Sequence, residues 1–135
     1  MSELAAAIAV ASLGAMTFFS AAIAPTVFQV LPEEHAGLFL RAIFPRYFLI
    51  NGIAAIGAGL LAMDAIISVL LISSGLVMLA VRYAAIPIIN EARDQMLTGF
   101  ATAKARFDTW HRATVILNML EMLCLAVAAY MLLYR

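Results

Sequence analysis

His111, Thr114, Asn118 and Glu121 recur at i, i+3, i+7 and i+10, which places them on one face of a helix. Around them the chain is leucine, methionine, alanine and valine. A carboxylate in such surroundings is costly unless it is paired, protonated or wetted, so Glu121 is expected to face a protein interior. Imidazole, hydroxyl, amide and carboxylate together can bind a small polar molecule. Three further residues fit the same chemistry. Arg46 follows Pro45, where a helix kink would free a carbonyl and open space. Arg82 lies at the end of an apolar run, and Asn90 follows Pro87. Guanidinium groups would make the site attractive to an anionic solute or a lipid headgroup, unless they snorkel to the membrane surface.

The elements that must position these residues follow from composition. Of the 135 residues, 66% are hydrophobic and only 12% are charged, with a mean hydropathy of +1.05. A soluble domain is roughly 45–50% apolar and about 25% charged. This chain cannot cover its surface with polar groups, so its partner is the lipid bilayer. Eight basic and eight acidic residues cancel, which argues against nucleic acid as a partner. A single cysteine, Cys124, rules out an intrachain disulfide or a cysteine-cluster metal site.

A hydrocarbon core of about 30 Å needs roughly 20 apolar residues per helix. Uncharged runs extend over Leu4 to Leu31, Tyr47 to Met63 and Ala65 to Val81, and Ala113 to Tyr134 is broken only by Asn118 and Glu121. Leu31-Pro32-Glu33-Glu34 reads as a stop followed by a start, Asp64 as a tight turn and Thr98-Gly99 as a breaker. The expected fold is an all-α membrane protein: four long transmembrane helices in an up-down-up-down bundle, near 4–30, 33–62, 65–97 and 100–134, forming one domain over 1–135. Glu3 and the length of the first run argue against a cleaved signal peptide. The third and fourth helices are expected to project beyond the membrane as amphipathic extensions.

Arg41, Arg46, Arg82, Arg93, Lys104, Arg106 and Arg112 gather at one end and Arg135 alone at the other. The positive-inside rule then puts both termini outside and the 1–2 and 3–4 connections in the cytoplasm, in the inner membrane of a bacterial source. Small residues offer close-packing faces: Ala7-Ala11-Ala15 in the first helix, and Ala54-Ala58-Ala62 and Ala55-Gly59 in the second. Counting about 1.5 Å per residue from the outer ends, Asn51, Glu121 and Thr17 lie roughly 18–21 Å deep. Arg46, Ser20, Arg82 and Asn118 follow at about 24–27 Å, and Thr114, Arg41 and His111 at about 30–35 Å. Polar groups from all four helices are thus expected to meet in one inner-half pocket. The same hairpin register sets Asn90 across from Phe107 and His111.

The segment Phe18-Phe19-Ser20-Ala21-Ala22-Ile23-Ala24-Pro25-Thr26-Val27-Phe28 resembles the first-helix signature of the transmembrane-protein-205-like family (domain of unknown function 4149). Phe44-Pro45-Arg46-Tyr47, Pro87-Ile88-Ile89-Asn90, and Phe107 with His111, Thr114 and Asn118 are similar to its other signatures. The resemblance spans all four helices. Trp110 and Thr114 depart from it, standing where leucine and serine are usual. It implies a small four-helix membrane protein without an established chemical activity. A more distant similarity is to the copper-resistance-D-like group, some members of which handle copper or haem.

Three functions compete. The first is non-enzymatic binding or transport of a small polar or anionic solute or lipid headgroup, with Arg46, Arg82, Asn90, His111, Thr114, Asn118 and Glu121 as the binding residues. The second is a structural or assembly subunit of a membrane complex. The third is a haem- or copper-handling protein. The eight methionines read as pliable packing, and no metal-spaced cluster, phosphate loop or nucleophile motif appears, so no cofactor and no enzymatic reaction are expected. A chain of this size suits a homodimer.

Overall fold

The computed structural model describes residues 1–134; Arg135, counted above toward the charge asymmetry, lies outside the described residues. Four helices carry the fold: α1 over Ser2–Val30, α2 over Glu33–Leu61, α3 over Ala65–Leu97 and α4 over Ala101–Tyr134. Each is long and apolar enough to cross a membrane. The chain is an all-helical, multi-pass integral membrane protein.

The breaks between helices have local causes. Glu33 and Glu34 occupy the first turn of α2, at its positive dipole end. The Asp64 carboxylate caps α3, accepting from the amides of Ile66 at 2.9 Å and Ile67 at 3.1 Å. At the end of α3, Gly99 adopts φ +90°. Its amide donates to the Met96 carbonyl at 3.2 Å, while the Phe100 amide donates to the Gln95 carbonyl at 3.1 Å. That pair of bonds is a Schellman closure, and its left-handed residue favours glycine.

Two helices contain a π-helical turn, Phe19–Ile23 in α1 and Val81–Ala85 in α3. Both lie directly upstream of a proline, Pro25 and Pro87. A proline ring crowds the carbonyl four residues back, here Ala21 and Tyr83, and widening that turn relieves the crowding. Pro45 has no such turn upstream: α2 is assigned as α-helix through it. The Arg46 guanidinium instead donates to the Ala42 carbonyl at 2.6 Å, placing an extra donor in the turn where Pro45 has none.

The helices pack as a closed ring in which each touches the next and α4 returns to α1. With no hydrophobic drive between helices in lipid, close backbone approach must supply the contacts. It does so between α2 and α3. A Cβ on Gly75 would lie 2.6 Å from the Gly52 carbonyl oxygen, and one on Gly59 would lie 2.7 Å from Ile72. The Ala55-Gly59 face is therefore buried as expected. On α1 the expected face is turned outward. Ala7, Ala11 and Ala15 are exposed, and Ala5, Ala9, Ser12 and Met16 face the bundle. The Ser12 hydroxyl on this face has a partner on α2.

Replacing Gly75 with Ala adds helix propensity worth about 1 kcal/mol, but overpacking typically costs about 1–3 kcal/mol. A net loss is expected in thermal unfolding of the detergent-solubilised protein. Gly57→Ala, where a Cβ would meet nothing within 4 Å, is expected to gain stability instead.

Candidate functional site

The buried polar residues among those described are Ser12, Asn51, Ser74, Thr114 and Glu121. They come from all four helices, and a hydrogen-bond chain joins three of these. The Ser12 hydroxyl donates to Asn51 Oδ1 at 2.7 Å, and Asn51 Nδ2 donates to the Tyr47 carbonyl at 2.8 Å. The Tyr47 hydroxyl then donates to Asn118 Oδ1 at 2.8 Å. Helices α2 and α4 stand diagonally opposite in the ring, so this last bond crosses the centre of the bundle. Ser20 of α1 lies within reach of the same hydroxyl. The rings of Phe19, Phe44 and Phe48 surround Tyr47 at centroid distances of 4.9, 6.2 and 5.0 Å. Aromatic side chains thus pack closely around Tyr47.

Glu121 sits one helical turn beyond Asn118, on the same face. It is 3% exposed, and neither carboxylate oxygen has a hydrogen-bond partner among the described residues. The Ser74 hydroxyl, from α3, is buried and unpartnered in the same way. Thr114 keeps its hydroxyl local, donating to the His111 carbonyl at 2.8 Å.

The remaining expected residues lie apart from this core. Arg46 is exposed and its guanidinium returns to its own helix. Arg82 stacks over Tyr83, with the guanidinium carbon 4.6 Å from the ring centroid, and its Nε is buried without a partner. His111 is exposed and stacks on Phe107, the two rings 5.5 Å apart and 6° from parallel. Of the seven expected residues, Asn118, Thr114 and Glu121 line the core, Arg46, Arg82 and His111 stand at its edge, and Asn90 is half-buried near the end of α3.

The end bearing the α1–α2 and α3–α4 connections is tied by charge. Arg41 makes a two-pronged pair with Asp94 at 2.7 and 2.9 Å, joining α2 to α3. Arg106 reaches Glu91 at 3.5 Å, joining α4 to α3, and Lys104 pairs with Asp108 at 2.7 Å within α4. The Arg93 guanidinium covers Gly37, where any side chain would overlap it.

The family described as Domain of unknown function (DUF4149) matches residues 7–98, more than half of the chain. The chain belongs to that family. Neither the curated proteins nor the solved structures yielded a match. The DUF4149 match takes in α1 to α3 and ends at the α3–α4 turn. It includes Phe18–Phe28, Phe44–Tyr47 and Pro87–Asn90, but the α4 residues Phe107, His111, Thr114 and Asn118 lie beyond it. Within the DUF4149 region, sequence reasoning passed over Ser12, Tyr47 and Ser74 as site residues. Tyr47 did carry a signal, standing one turn before Asn51 on the face that bears Ala55 and Gly59. No group of three His, Cys, Asp or Glu side chains that could hold a metal occurs among the described residues.

Proposed function

We propose that the core of this DUF4149 protein binds a small polar solute without covalent chemistry, anchored by Glu121. One observation carries this reading: a carboxylate sealed inside an apolar bundle with both oxygens unpartnered. Such a group costs several kcal/mol unless it is paired, protonated or wetted. The same protein satisfies Ser12, Asn51 and Tyr47 fully, so an unsatisfied neighbour points to a missing partner. With Arg46 and Arg82 at its edge, the charged group awaiting that partner in the core is the Glu121 carboxylate, an acceptor. The solute therefore donates hydrogen bonds or carries positive charge, as a protonated amine or a monovalent cation does. An anion would meet the Glu121 carboxylate without a guanidinium to offset it. The connections between α1 and α2 and between α3 and α4 face the cytoplasm in this reading, since most of the lysines and arginines lie there.

The test is thermal unfolding of detergent-solubilised protein across a panel of monovalent cations and small protonated amines. A bound solute at a hundredfold its Kd stabilises by about 2.7 kcal/mol. Wild type is expected to show such a shift, and Glu121→Gln, which keeps the side-chain shape, is expected to lose it. Equal shifts in the two proteins would remove Glu121 from the site. Flux of the same solute into proteoliposomes then separates transport from binding.

A second reading, assembly with another chain, has its own support. Ala7, Ala11, Gly14 and Ala15 form an exposed stripe of small residues on α1, and nothing lies within 4 Å of a Cβ on Gly14. Such a stripe admits another helix backbone. A homodimer is expected as the main species in native mass spectrometry, and Ala11→Leu is expected to shift it to monomer. A monomer in both would exclude this face as a dimer contact.

A further inference from the structure

The guanidinium groups excluded from the core form a separate feature, independent of the Glu121 reading. Arg46 and Arg82 stand on neighbouring helices at matching depth, about 25–27 Å along α2 and α3 from their shared turn at Asp64. A hydrocarbon core is about 30 Å thick, so both attach just short of its boundary at the connection end. Their side chains reach the level of lipid phosphates from there. Tyr83, the ring beneath Arg82, is 64% exposed, and tyrosine favours that same headgroup level.

Neither guanidinium has a carboxylate partner among the described residues. Those nearest along the bundle are engaged elsewhere: Asp94 by Arg41, Glu91 by Arg106 and Asp108 by Lys104. Glu33 and Glu34 lie a further 12–13 residues along α2, about 18–20 Å away from Arg46. The Arg82 Nε is buried without a partner, and the guanidinium carbon sits over the Tyr83 ring. Its terminal nitrogens have no acceptor among the described residues. Cation–π contact holds the group but does not neutralise its charge.

We propose that Arg82, with Arg46 at matching depth on the neighbouring helix, binds the phosphate of an anionic membrane lipid on the outer face of α2 and α3 at the connection end. A planar guanidinium held against a ring presents two parallel N–H donors, the geometry that phosphate oxygens accept. The acyl chains then lie along the apolar outer faces of α2 and α3, where Ile50, Ile53 and Leu76 are exposed.

The experiment uses the full chain in nanodiscs of phosphatidylcholine containing a minor fraction of phosphatidylglycerol. Lipids retained on release into native mass spectrometry are then counted. Wild type is expected to keep phosphatidylglycerol in preference to phosphatidylcholine. Arg82→Gln should weaken that retention about tenfold, and Arg82→Lys by less, because an ammonium keeps the charge but loses the fork. Arg46→Gln, at an exposed position, tests the second guanidinium without disturbing the packing. Lys104→Gln, which removes a cation already paired with Asp108, should change nothing. Three outcomes would overturn the site: unchanged retention in the Arg46→Gln, Arg82→Gln double variant, an equal loss in Lys104→Gln, or displacement of the lipid by inorganic phosphate. The last would make the ligand a soluble anion. Thermal unfolding of each variant confirms that it remains folded. Loss of the Glu121-dependent solute shift would leave this result unaffected.

Discussion

Glu121→Met is expected to make the unliganded protein more stable, by about 1–3 kcal/mol, while abolishing solute binding. The magnitude follows from the state of the carboxylate. A buried polar group without a partner carries a desolvation cost of about 1–3 kcal/mol that a hydrogen bond would ordinarily offset. Glu121 has two such oxygens at 3% residue exposure. Methionine is unbranched, has similar helix propensity and is pliable enough to follow the existing shape beside Met122 and Leu125. Removing the carboxylate therefore relieves a cost without opening a cavity. Thermal or denaturant unfolding in detergent, with no added solute, measures the gain. A protein selected only for stability would not keep such a group, and a rise in stability coupled to lost binding is the usual sign of a functional side chain. A fall in stability would mean that Glu121 is structurally paired, and the proposed site would have to be abandoned.

The contrast between Glu121 and Arg46 marks what a sequence can convey here. The four spans were legible because bilayer thickness sets a length, and Pro32, Asp64 and Gly99 punctuate the chain in ways backbone geometry dictates. Height along each helix was legible for the same reason, since every residue adds a fixed rise. Direction was not. Equal depth placed Arg46 level with Asn118, yet a long flexible side chain can turn back to the Ala42 carbonyl instead of crossing to α4. Rotation of α1 was equally hidden. The Ala7-Ala11-Ala15 stripe is small enough to pack, yet the Ala5-Ala9-Ser12-Met16 face is the one buried, with the Ser12 hydroxyl meeting Asn51. The π-turns add a further cause. A π-turn slips the helical register, so positions beyond Val81–Ala85, Asn90 among them, no longer follow the 3.6-residue period that a sequence reading applies. Arg82 lies inside such a turn. Thr114, Asn118 and Glu121 share one face because α4 has no register break among them, whereas His111, one turn earlier on the same helix, is exposed.

Asn51 supplies the second large effect, with the opposite sign. Asn51→Leu is expected to destabilise the protein by about 2–4 kcal/mol. Two interactions vanish: the bond from Ser12 at 2.7 Å and the bond to the Tyr47 carbonyl at 2.8 Å. The first crosses between helices, where such bonds in membranes average only about 0.6 kcal/mol, and the second lies within α2, so these alone do not account for the figure. The larger share comes from the Ser12 hydroxyl, which is 5% exposed and would be stranded at a cost of about 1–3 kcal/mol. The Tyr47 carbonyl is not stranded, because as a residue inside α2 it still accepts the backbone amide of Asn51. This asymmetry makes the argument testable with a second substitution. Ser12→Ala in the Asn51→Leu background removes the orphaned hydroxyl, and the double variant is expected to recover most of the loss. Unfolding of the four proteins of that cycle gives the coupling directly. If Ser12→Ala adds to the damage instead, the hydroxyl was never the stranded group, and the α1–α2 contact is held by its small apolar residues. If the double variant recovers and still shows the solute-dependent shift of wild type, the Ser12–Asn51 bond acts as a staple setting the rotation of α1. The binding role then rests with Tyr47, Asn118 and Glu121.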